Sequence, residues 1–271
     1  MNGYSIIDFH THTFPKKIAA KAIAKLEAGG RSKAHLDGTP EALIKANAAD
    51  RIDYSVSLPI ATNAKQVETI NSISAEFNGK NGIFFAGAVH PEREDIEEIL
   101  DFLKASGIKL IKIHPDFQGA RFDDERFIRI MREAAKRDIV TVAHAGVDLD
   151  YPDDVHCTPD MVLNVLSALD GIIDNKLVLA HLGGNEYPDE VLKKLCGKPV
   201  YFDTAYSLTG YPEKCREIIR KHGADKILFA TDSPWVDRKE YLKVFFSLGL
   251  SEEENRKILA GNAAKLLGIY F

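Results

Sequence analysis

Short apolar runs alternate with amphipathic segments along almost the whole chain. Eight of the runs are mostly continuous in Ile, Val, Leu, Phe and Ala, which is typical of parallel strands covered on both faces. They span residues 5–9, 54–60, 83–88, 108–113, 139–143, 177–180, 200–202 and 227–230. Between them apolar residues recur at helical spacing, as in 95–105, 125–137, 160–169 and 212–222. This alternation predicts an α/β fold, a (β/α)₈ or TIM barrel, in a single domain over residues 1–271.

Two connections are longer than the strand–helix pattern requires. Residues 13–49 follow the first strand and contain a helical pattern at 16–27 and a second helix that begins near Pro40. Residues 146–159 follow the fifth strand and form a polar loop rich in Asp. Because barrel active sites lie at the C-terminal ends of the strands, we expect both insertions to cover or shape a substrate pocket.

Composition and charge disfavour several classes of function. No apolar stretch approaches the ~18 residues that cross a bilayer, and Asp8 and His10 interrupt the first run, so we expect neither a membrane span nor a secretory signal. The formal net charge of -5 disfavours a nucleic-acid partner. Three cysteines without paired spacing disfavour a disulfide framework and favour a cytoplasmic protein. A small molecule is the expected partner, and a homo-oligomer is compatible with the sequence.

Histidine and aspartate side chains follow several of the strand-like runs. His10 and His12 follow the first run, His114, His144 and His181 follow the fourth, fifth and sixth, and Asp232 follows the eighth. In a parallel barrel these strand ends converge on one face. Imidazoles and a carboxylate brought to one point form a site for a first-row divalent metal, and zinc is the expected ion.

The parity of the first strand supports this convergence. Side chains alternate along a strand, so Asp8, His10 and His12 should share one face while Phe9 and Thr11 point to the other. A His-x-His pair at a strand end can thereby give two ligands to one metal. The same parity places apolar layers beneath the polar tips of the other strands.

Lys112 is predicted to point into the barrel, where a lysine is costly unless it is paired or ligated. It lies one side-chain layer below His114 on the same predicted face. Three roles fit it: a carbamylated bridge between two metals, a cation for an anionic substrate group, or a structural ion pair, for instance with Asp8. We favour the substrate or the structural role, because the usual state of lysine is the ammonium ion.

Three further residues are candidates for contact with the substrate. His114 and Arg121 follow the fourth strand, and Trp235 follows the eighth. Together with Lys112, Arg121 favours a substrate that carries a carboxylate. Trp235 offers an apolar face for a ring or an unsaturated chain.

The motifs of the chain resemble those of the amidohydrolase superfamily. In chain order they are DFHTH at 8–12, GIKLIKIHP at 107–115, HAG at 144–146, AHLGG at 180–184, TDSP at 231–234 and GNAAKLLG at 261–268. More narrowly, they are similar to the amidohydrolase 2 branch, which includes aminocarboxymuconate-semialdehyde decarboxylase and the resorcylate decarboxylases. The resemblance spans the whole chain and implies a barrel with a metal site. The branch contains both hydrolases and non-oxidative decarboxylases.

The resemblance also implies a role for the residues at the strand ends. His10, His12 and His144 would be metal ligands, and Asp232 would be both a ligand and the proton acceptor. His181 would be a further ligand in a binuclear site or an acid/base group beside a single metal.

Three functions fit the predicted site. The first is hydrolysis of a small, carboxylate-bearing amide, cyclic amide, ester or lactone by a metal-activated water, with Asp232, His181 and Lys112 as the catalytic residues. We favour it because the decarboxylases of the branch tend to be longer than this chain. The alternative is a metal-dependent, non-oxidative decarboxylase of an aromatic or enoic acid. A TatD-like metallonuclease is the least supported, since it requires an acidic ligand where the chain has Lys112.

Overall fold

Parallel strands at eight positions form the centre of the molecule. The computed structural model describes residues 3–30 and 32–270. In chain order the strands are β1 (Ile7–Thr11), β2 (Tyr54–Ser57), β3 (Ile83–Phe85), β4 (Gly87–Ala88), β5 (Leu110–Ile113), β6 (Val140–Ala143), β7 (Leu177–Leu179), β8 (Tyr201–Asp203) and β9 (Ile227–Leu228). One sheet has the order β1-β2-β3, and the other has the order β4-β5-β6-β7-β8-β9. β3 and β4 are the two halves of the predicted third strand, and only Ala86 separates them.

Backbone hydrogen bonds join the first strand to the segment that follows the last, so the barrel closes. Asp232 N donates to His10 O at 2.9 Å, and His12 N donates to Ser233 O at 2.7 Å. Because β3 also runs directly into β4, the two sheets form one closed (β/α)₈ barrel, as the strand pattern predicts. The closing bonds involve residues that the sequence singles out as metal ligands.

Helices surround the barrel. They are α1 (Lys16–Gly30), α2 (Pro40–Asp50), α3 (Val67–Phe77), α4 (Ile96–Ala105), α5 (Glu125–Lys136), α6 (Pro159–Ala168), α7 (Pro188–Lys194), α8 (Pro212–His222), α9 (Arg238–Ser247), α10 (Glu252–Arg256) and α11 (Asn262–Leu267). Their start signals are local: Thr39 caps α2 and Thr158 caps α6, each followed by proline in the first turn. Within 3–30 and 32–270, no helix combines the length and the apolar character needed to cross a membrane.

Apolar side chains fill the lower barrel and leave its C-terminal end to polar groups. Inside the barrel, Phe9, Leu110, Val142 and Leu228 are buried in one cluster contributed by different strands. A larger apolar layer lies between the strands and the helices, where Phe127 of α5 is fully buried. Burying each large apolar side chain contributes roughly 1.5–3 kcal/mol. The free energy gained by burying the apolar layers therefore offsets the cost of burying a polar layer above them.

Strand β1 departs from the predicted alternation. Its pairing with β2 shifts register after Asp8, which marks a bulge. Phe9 therefore joins the inner apolar cluster, and Asp8 does not share a face with His10 and His12. That expectation was wrong, and so was the ion pair between Asp8 and Lys112, because a strict period of two does not survive a bulge.

Asp8 instead anchors the chain beside the predicted ligand Asp232. Its carboxylate accepts hydrogen bonds from Thr231 N at 2.9 Å and from Thr231 Oγ1 at 2.6 Å, and Arg238 Nε lies 3.6 Å away. Asp8 and Arg238 are both buried, and Arg238 also donates to Asn47 of α2 at 2.7 Å. This network fixes the residue that precedes Asp232.

We expect Asp8→Asn to lower the free energy of unfolding by about 1–2 kcal/mol, because it removes one of the two carboxylates that face the buried Arg238. Urea unfolding followed by circular dichroism measures the change. The exposed Asp170→Asn should stay within about 0.5 kcal/mol of the original protein. An Asp8→Asn variant as stable as this control would show that the buried pair does not hold the barrel closure.

Candidate metal centre and its cavity

Three side chains bring ligand atoms together at the barrel closure: His10 and His12 from the end of β1, and Asp232 after β9. We call them the first triad. His10 Nε2 and His12 Nε2 are 3.2 Å apart, and Asp232 Oδ1 lies 3.6 Å from the former and 3.2 Å from the latter. Bonds of about 2.0–2.1 Å to a tetrahedral ion separate the ligand atoms by about 3.4 Å. The three atoms are therefore spaced to share one first-row cation.

The hydrogen bonds behind the two imidazoles select their tautomers. His10 donates from Nδ1 to Asp203 Oδ2 at 2.8 Å, and His12 donates from Nδ1 to the carbonyl oxygen of Leu58 at 3.0 Å. A carboxylate and a carbonyl can only accept, so each Nε2 carries a lone pair directed at the centre. Metal-bound histidines usually have this kind of support behind the ring.

The other histidines extend the first triad into a row. His181 donates from Nδ1 to the carbonyl oxygen of Ala205 at 2.9 Å, and its Nε2 lies 3.0 Å from His144 Nδ1. The His144 ring stacks on that of His114, with centroids 4.1 Å apart. His114, His144 and Asp148 have ligand atoms within 4.8 Å of one another. His144 thus lies next to His181 in this row, and its role as a metal ligand stays a prediction.

Burial favours the neutral form of the imidazoles. Loss of solvent lowers the pKa of His10, of His114 and of His144 below the ordinary value. Burial alone would raise the pKa of Asp232, but the neighbouring imidazoles of His12 and His10 outweigh it and hold that pKa below its usual range. Neutral nitrogens beside an ionised carboxylate are the donor set that a divalent cation requires.

Lys112 lies beneath the row of imidazoles and is almost completely buried. Its Nζ is 3.5 Å from His10 Nε2. Burial lowers the pKa of Lys112 to about 8, although the carboxylates of Asp203 and Asp232 oppose the shift. The amino group of Lys112 thus faces the first triad.

The residues present fit a divalent metal. Among the described residues, the buried atoms Asp232 Oδ1 and His144 Nε2 have no hydrogen-bond partner. Buried polar atoms normally have one, and a cation would satisfy both kinds of atom. Imidazole nitrogen suits zinc well, and carboxylate oxygen also suits manganese.

A cavity of about 870 Å³ opens above the imidazoles. Apolar side chains of α1, α3 and the loops line it, among them Phe14, Ile18, Ile70, Phe117, Tyr151 and Trp235. Helix α1 and residues 146–159 form what we call the roof. They meet where Asp150 lies against Gly29, since a β-carbon on this glycine would clash with the carboxylate. Both long insertions therefore shape the cavity, as the sequence predicts.

Of the three residues predicted to contact the substrate, two line the cavity and one does not. His114 and Trp235 line the cavity, and so does Lys112. Arg121 does not: it is exposed, and its Nη1 lies 3.7 Å from Asp154 Oδ1. The loop after β5 folds back through a hydrogen bond from Gln118 N to the His114 carbonyl oxygen at 3.0 Å, which directs the following residues away from the barrel mouth.

Two carboxylates of the site were missed by the sequence analysis. Asp203 ends β8 one residue beyond the predicted strand, is fully buried, and accepts from His181 N at 3.0 Å. Strand parity could have found it, because Tyr201 shares its face and lies in the inner cluster. Asp148 belongs to the polar loop, where no sequence signal distinguishes it from its neighbours.

The match to a known family covers all of these residues. The sequence profile of the amidohydrolase family matches residues 7–269. The chain belongs to the amidohydrolase family. The match includes every motif that suggested the amidohydrolase 2 branch, and so confirms that resemblance. A comparison with curated protein sequences gives no match.

Solved amidohydrolase structures with this fold include enzymes of two reaction types. The 2,6-dihydroxybenzoate decarboxylase from Rhizobium has a TM-score of 0.73 and 16% identity, over 98% of this chain and 99% of that chain. A dihydroxybenzoic acid decarboxylase from Polaromonas, with bound manganese and the inhibitor 2-nitroresorcinol, has a TM-score of 0.74 and 16% identity over 98% and 97%. A probable 2-pyrone-4,6-dicarboxylic acid hydrolase from Acinetobacter baumannii, with citric acid bound, has a TM-score of 0.68 and 16% identity over 98% and 100%. At these identities the likeness shows the shared TIM-barrel fold.

We expect Asp203→Ala to weaken metal binding by about 10-fold to 100-fold, because the change removes the acceptor that fixes the His10 tautomer. Competition between the protein and a chelating dye for zinc measures the affinity, and circular dichroism checks the fold. Asp170→Asn is the control and should bind as the original protein does. Equal affinities for all three proteins would show that Asp203 does not support the first triad.

Proposed function

We propose that the chain is a metal-dependent lyase that releases CO₂ from a small aromatic or enoic acid. The observation that carries the proposal is Lys112, whose ammonium lies 3.5 Å from His10 Nε2 at the floor of an apolar cavity. It offers a positive charge to a carboxylate beside the first triad. The chain length no longer favours hydrolysis, because a decarboxylase aligns with this chain over 99% of its own length.

The first triad would hold the divalent metal, zinc or manganese, with His181 beside it. When bound, the ion supplies positive charge and Lewis acidity to the polar groups of the substrate. The Nδ1 hydrogen bonds of His10 and His12 would prepare this place, because they leave the Nε2 lone pairs facing the point that Asp232 Oδ1 also faces.

The cavity would bind the acid and favour its decarboxylation. Lys112 would attract the carboxylate, and the attraction is stronger in a buried site than in water. Phe117 and Trp235 on the walls would pack against the ring or the unsaturated chain. An apolar environment disfavours a charged carboxylate relative to neutral CO₂, so these walls would promote the loss of the charge.

A proton must replace the lost carboxylate, since the overall change is R–COO⁻ + H⁺ → R–H + CO₂. His181 is our candidate donor. Its Nδ1 is engaged with the Ala205 carbonyl oxygen, so the proton it holds and moves would be at Nε2. Asp232, the proton acceptor inferred from the motifs, would act mainly as a ligand in this reaction.

Hydrolysis is the second candidate, and the open mouth of the cavity supports it. Ile18, Leu149 and Tyr151 line the cavity and are also exposed, so water reaches it. In this reaction Asp232 would accept the proton of the attacking water, and the substrate would be a carboxylate-bearing lactone, ester or amide. A metallonuclease lacks support, because Lys112 occupies the position of its acidic ligand.

The products separate the two reactions. Protein loaded with zinc or with manganese is incubated with hydroxybenzoic and enoic acids and, in parallel, with carboxylate-bearing lactones and amides. We expect metal-dependent release of CO₂ from at least one acid, and loss of that activity in Asp232→Asn. Turnover of a lactone or amide with no release of CO₂ from any acid would overturn the proposal in favour of hydrolysis.

We expect Lys112→Met to raise the KM for acidic substrates by about tenfold or more, because it removes a desolvated charge partner of the carboxylate. The metal content per chain should not change. Lys109→Met is a matched control, because Lys109 precedes β5 and is exposed. A metal content that falls by half would instead identify Lys112 as a carbamylated bridge. An unchanged KM would leave only a structural role.

A further inference from the structure

We propose that the cavity binds an acid with an extended apolar substituent, the tail, and that the tail lies between α1 and α3. The inference rests on the proposed function, which places the carboxylate at Lys112, and it adds the class of substrate: an aromatic or enoic acid with a long alkyl or alkenyl group. The cavity of about 870 Å³ lies near the upper end of the range of about 300–1,000 Å³ that is common for drug-sized ligands. A single-ring acid would leave much of that volume unfilled.

Two helices present apolar faces to the cavity. On α1 the lining residues Ile18, Ala22 and Leu26 follow one another at intervals of four, so they share one side of the helix. On α3 the lining residues Ile70 and Ile73 are three apart and likewise share one side. From Ile18 to Leu26 the face of α1 is about 12 Å long, because a helix rises about 1.5 Å per residue. We call the part of the cavity bordered by these five side chains the slot.

Most of the side chains that border the slot do not belong to the core. Ala22, Leu26 and Ile73 are half-buried, and they are not part of the apolar clusters that the described residues form inside and around the barrel. Ile18 is 51% exposed. Of the five, Ile70 alone also packs against the outer cluster. Apolar surface that faces an open cavity is stabilised when an apolar group displaces water from it, and the tail of a ligand would do so.

The slot is continuous with the first triad. His12 donates from Nδ1 to the carbonyl oxygen of Leu58 at 3.0 Å, and Leu58 itself lines the cavity. Ile60, in the segment that leads from β2 to α3, lines it too and is half-buried. The apolar lining therefore runs from the first triad to α3, and an acid whose carboxylate is held at Lys112 can extend its tail along it.

Closure of α1 onto α3 is the competing explanation for the two apolar faces. Contacts on both sides of α1 oppose it. Before the helix, the hydroxyl of Thr13 lies 2.7 Å from that of Ser57 in β2. After the helix, the hydroxyl of Ser32 lies 3.1 Å from that of Tyr206, which follows β8. Movement of α1 onto α3 would strain these contacts, whereas the tail of a ligand covers the slot and leaves them in place.

Binding of straight-chain carboxylic acids to the zinc-loaded protein tests the slot. In isothermal titration calorimetry with the series from butanoic to decanoic acid, we expect the affinity to rise about threefold for each added CH₂ group, because each group leaves water. Ala22→Phe fills the slot, so the long acids should lose this gain. Ala24→Phe is the matched control, because Ala24 is exposed on α1 and does not line the cavity, and it should keep the gain. The measurement needs no turnover, so it is informative whether or not the protein releases CO₂.

A second pair of variants, on α3, keeps the test decisive if Ala22→Phe folds poorly. Ile73→Asp places a charge in the slot and should also remove the gain, whereas Ser72→Asp, at an exposed position, should keep it. An affinity that does not change with chain length in the original protein would rule out a tail in the slot. So would a gain that survives in both Ala22→Phe and Ile73→Asp.

Lys112→Met separates this inference from the proposed function. It should weaken the binding of every acid in the series and keep the gain for each CH₂ group, because it removes the partner of the carboxylate and not the slot. A gain for each CH₂ group with no effect of Lys112→Met would support the slot and contradict the carboxylate position in the proposed function.

Discussion

The pairing of β1 with the segment after β9 is the constraint on which the site depends. The backbone bonds that close the barrel run between His10 and Asp232 and between His12 and Ser233. The same residues that complete the fold therefore also set the spacing of the first triad. Asp8 strengthens this closure from outside by holding Thr231, and the bulge in β1 frees it to do so. A change in the spacing of the ligand-bearing backbone would break the hydrogen bonds that close the barrel.

Stabilising and destabilising interactions lie at different levels along the barrel axis. The lower layers are apolar and closely packed, and the upper layer collects histidines, carboxylates and a lysine that are buried together. Buried polar atoms without partners destabilise a fold, and a ligand that binds only the folded state offsets that loss. The metal-free protein would thus be less stable in its upper layer than in its lower one. The stability of the apolar layers offsets this loss and allows the ligand atoms to be held in place before a metal binds.

Much of the fold was visible in the sequence, because continuous apolar runs and helical spacing are local signals. The sequence also predicted that five residues lie together, because parallel strands end on one face of a barrel. These residues are His10, His114, His144, His181 and Asp232. Three features did not follow. A bulge reverses parity after Asp8, a backward-folding loop takes Arg121 out of the cavity, and the contact of Asp148 with the imidazoles depends on tertiary packing. Each of these features depends on backbone geometry or tertiary packing, which cannot be read from the type of a single residue. The roles of the ligands and of the catalytic residues stay predictions.

The contact between Asp150 and Gly29 has a consequence for how this architecture can diversify. The two segments of the roof are separated by more than a hundred residues, and they touch each other above the cavity. Substitutions there can reshape the opening while the ligand-bearing strand ends stay as they are. The roof is therefore the part of the molecule in which a new substrate preference could arise through few changes, and the barrel beneath it would be inherited unaltered.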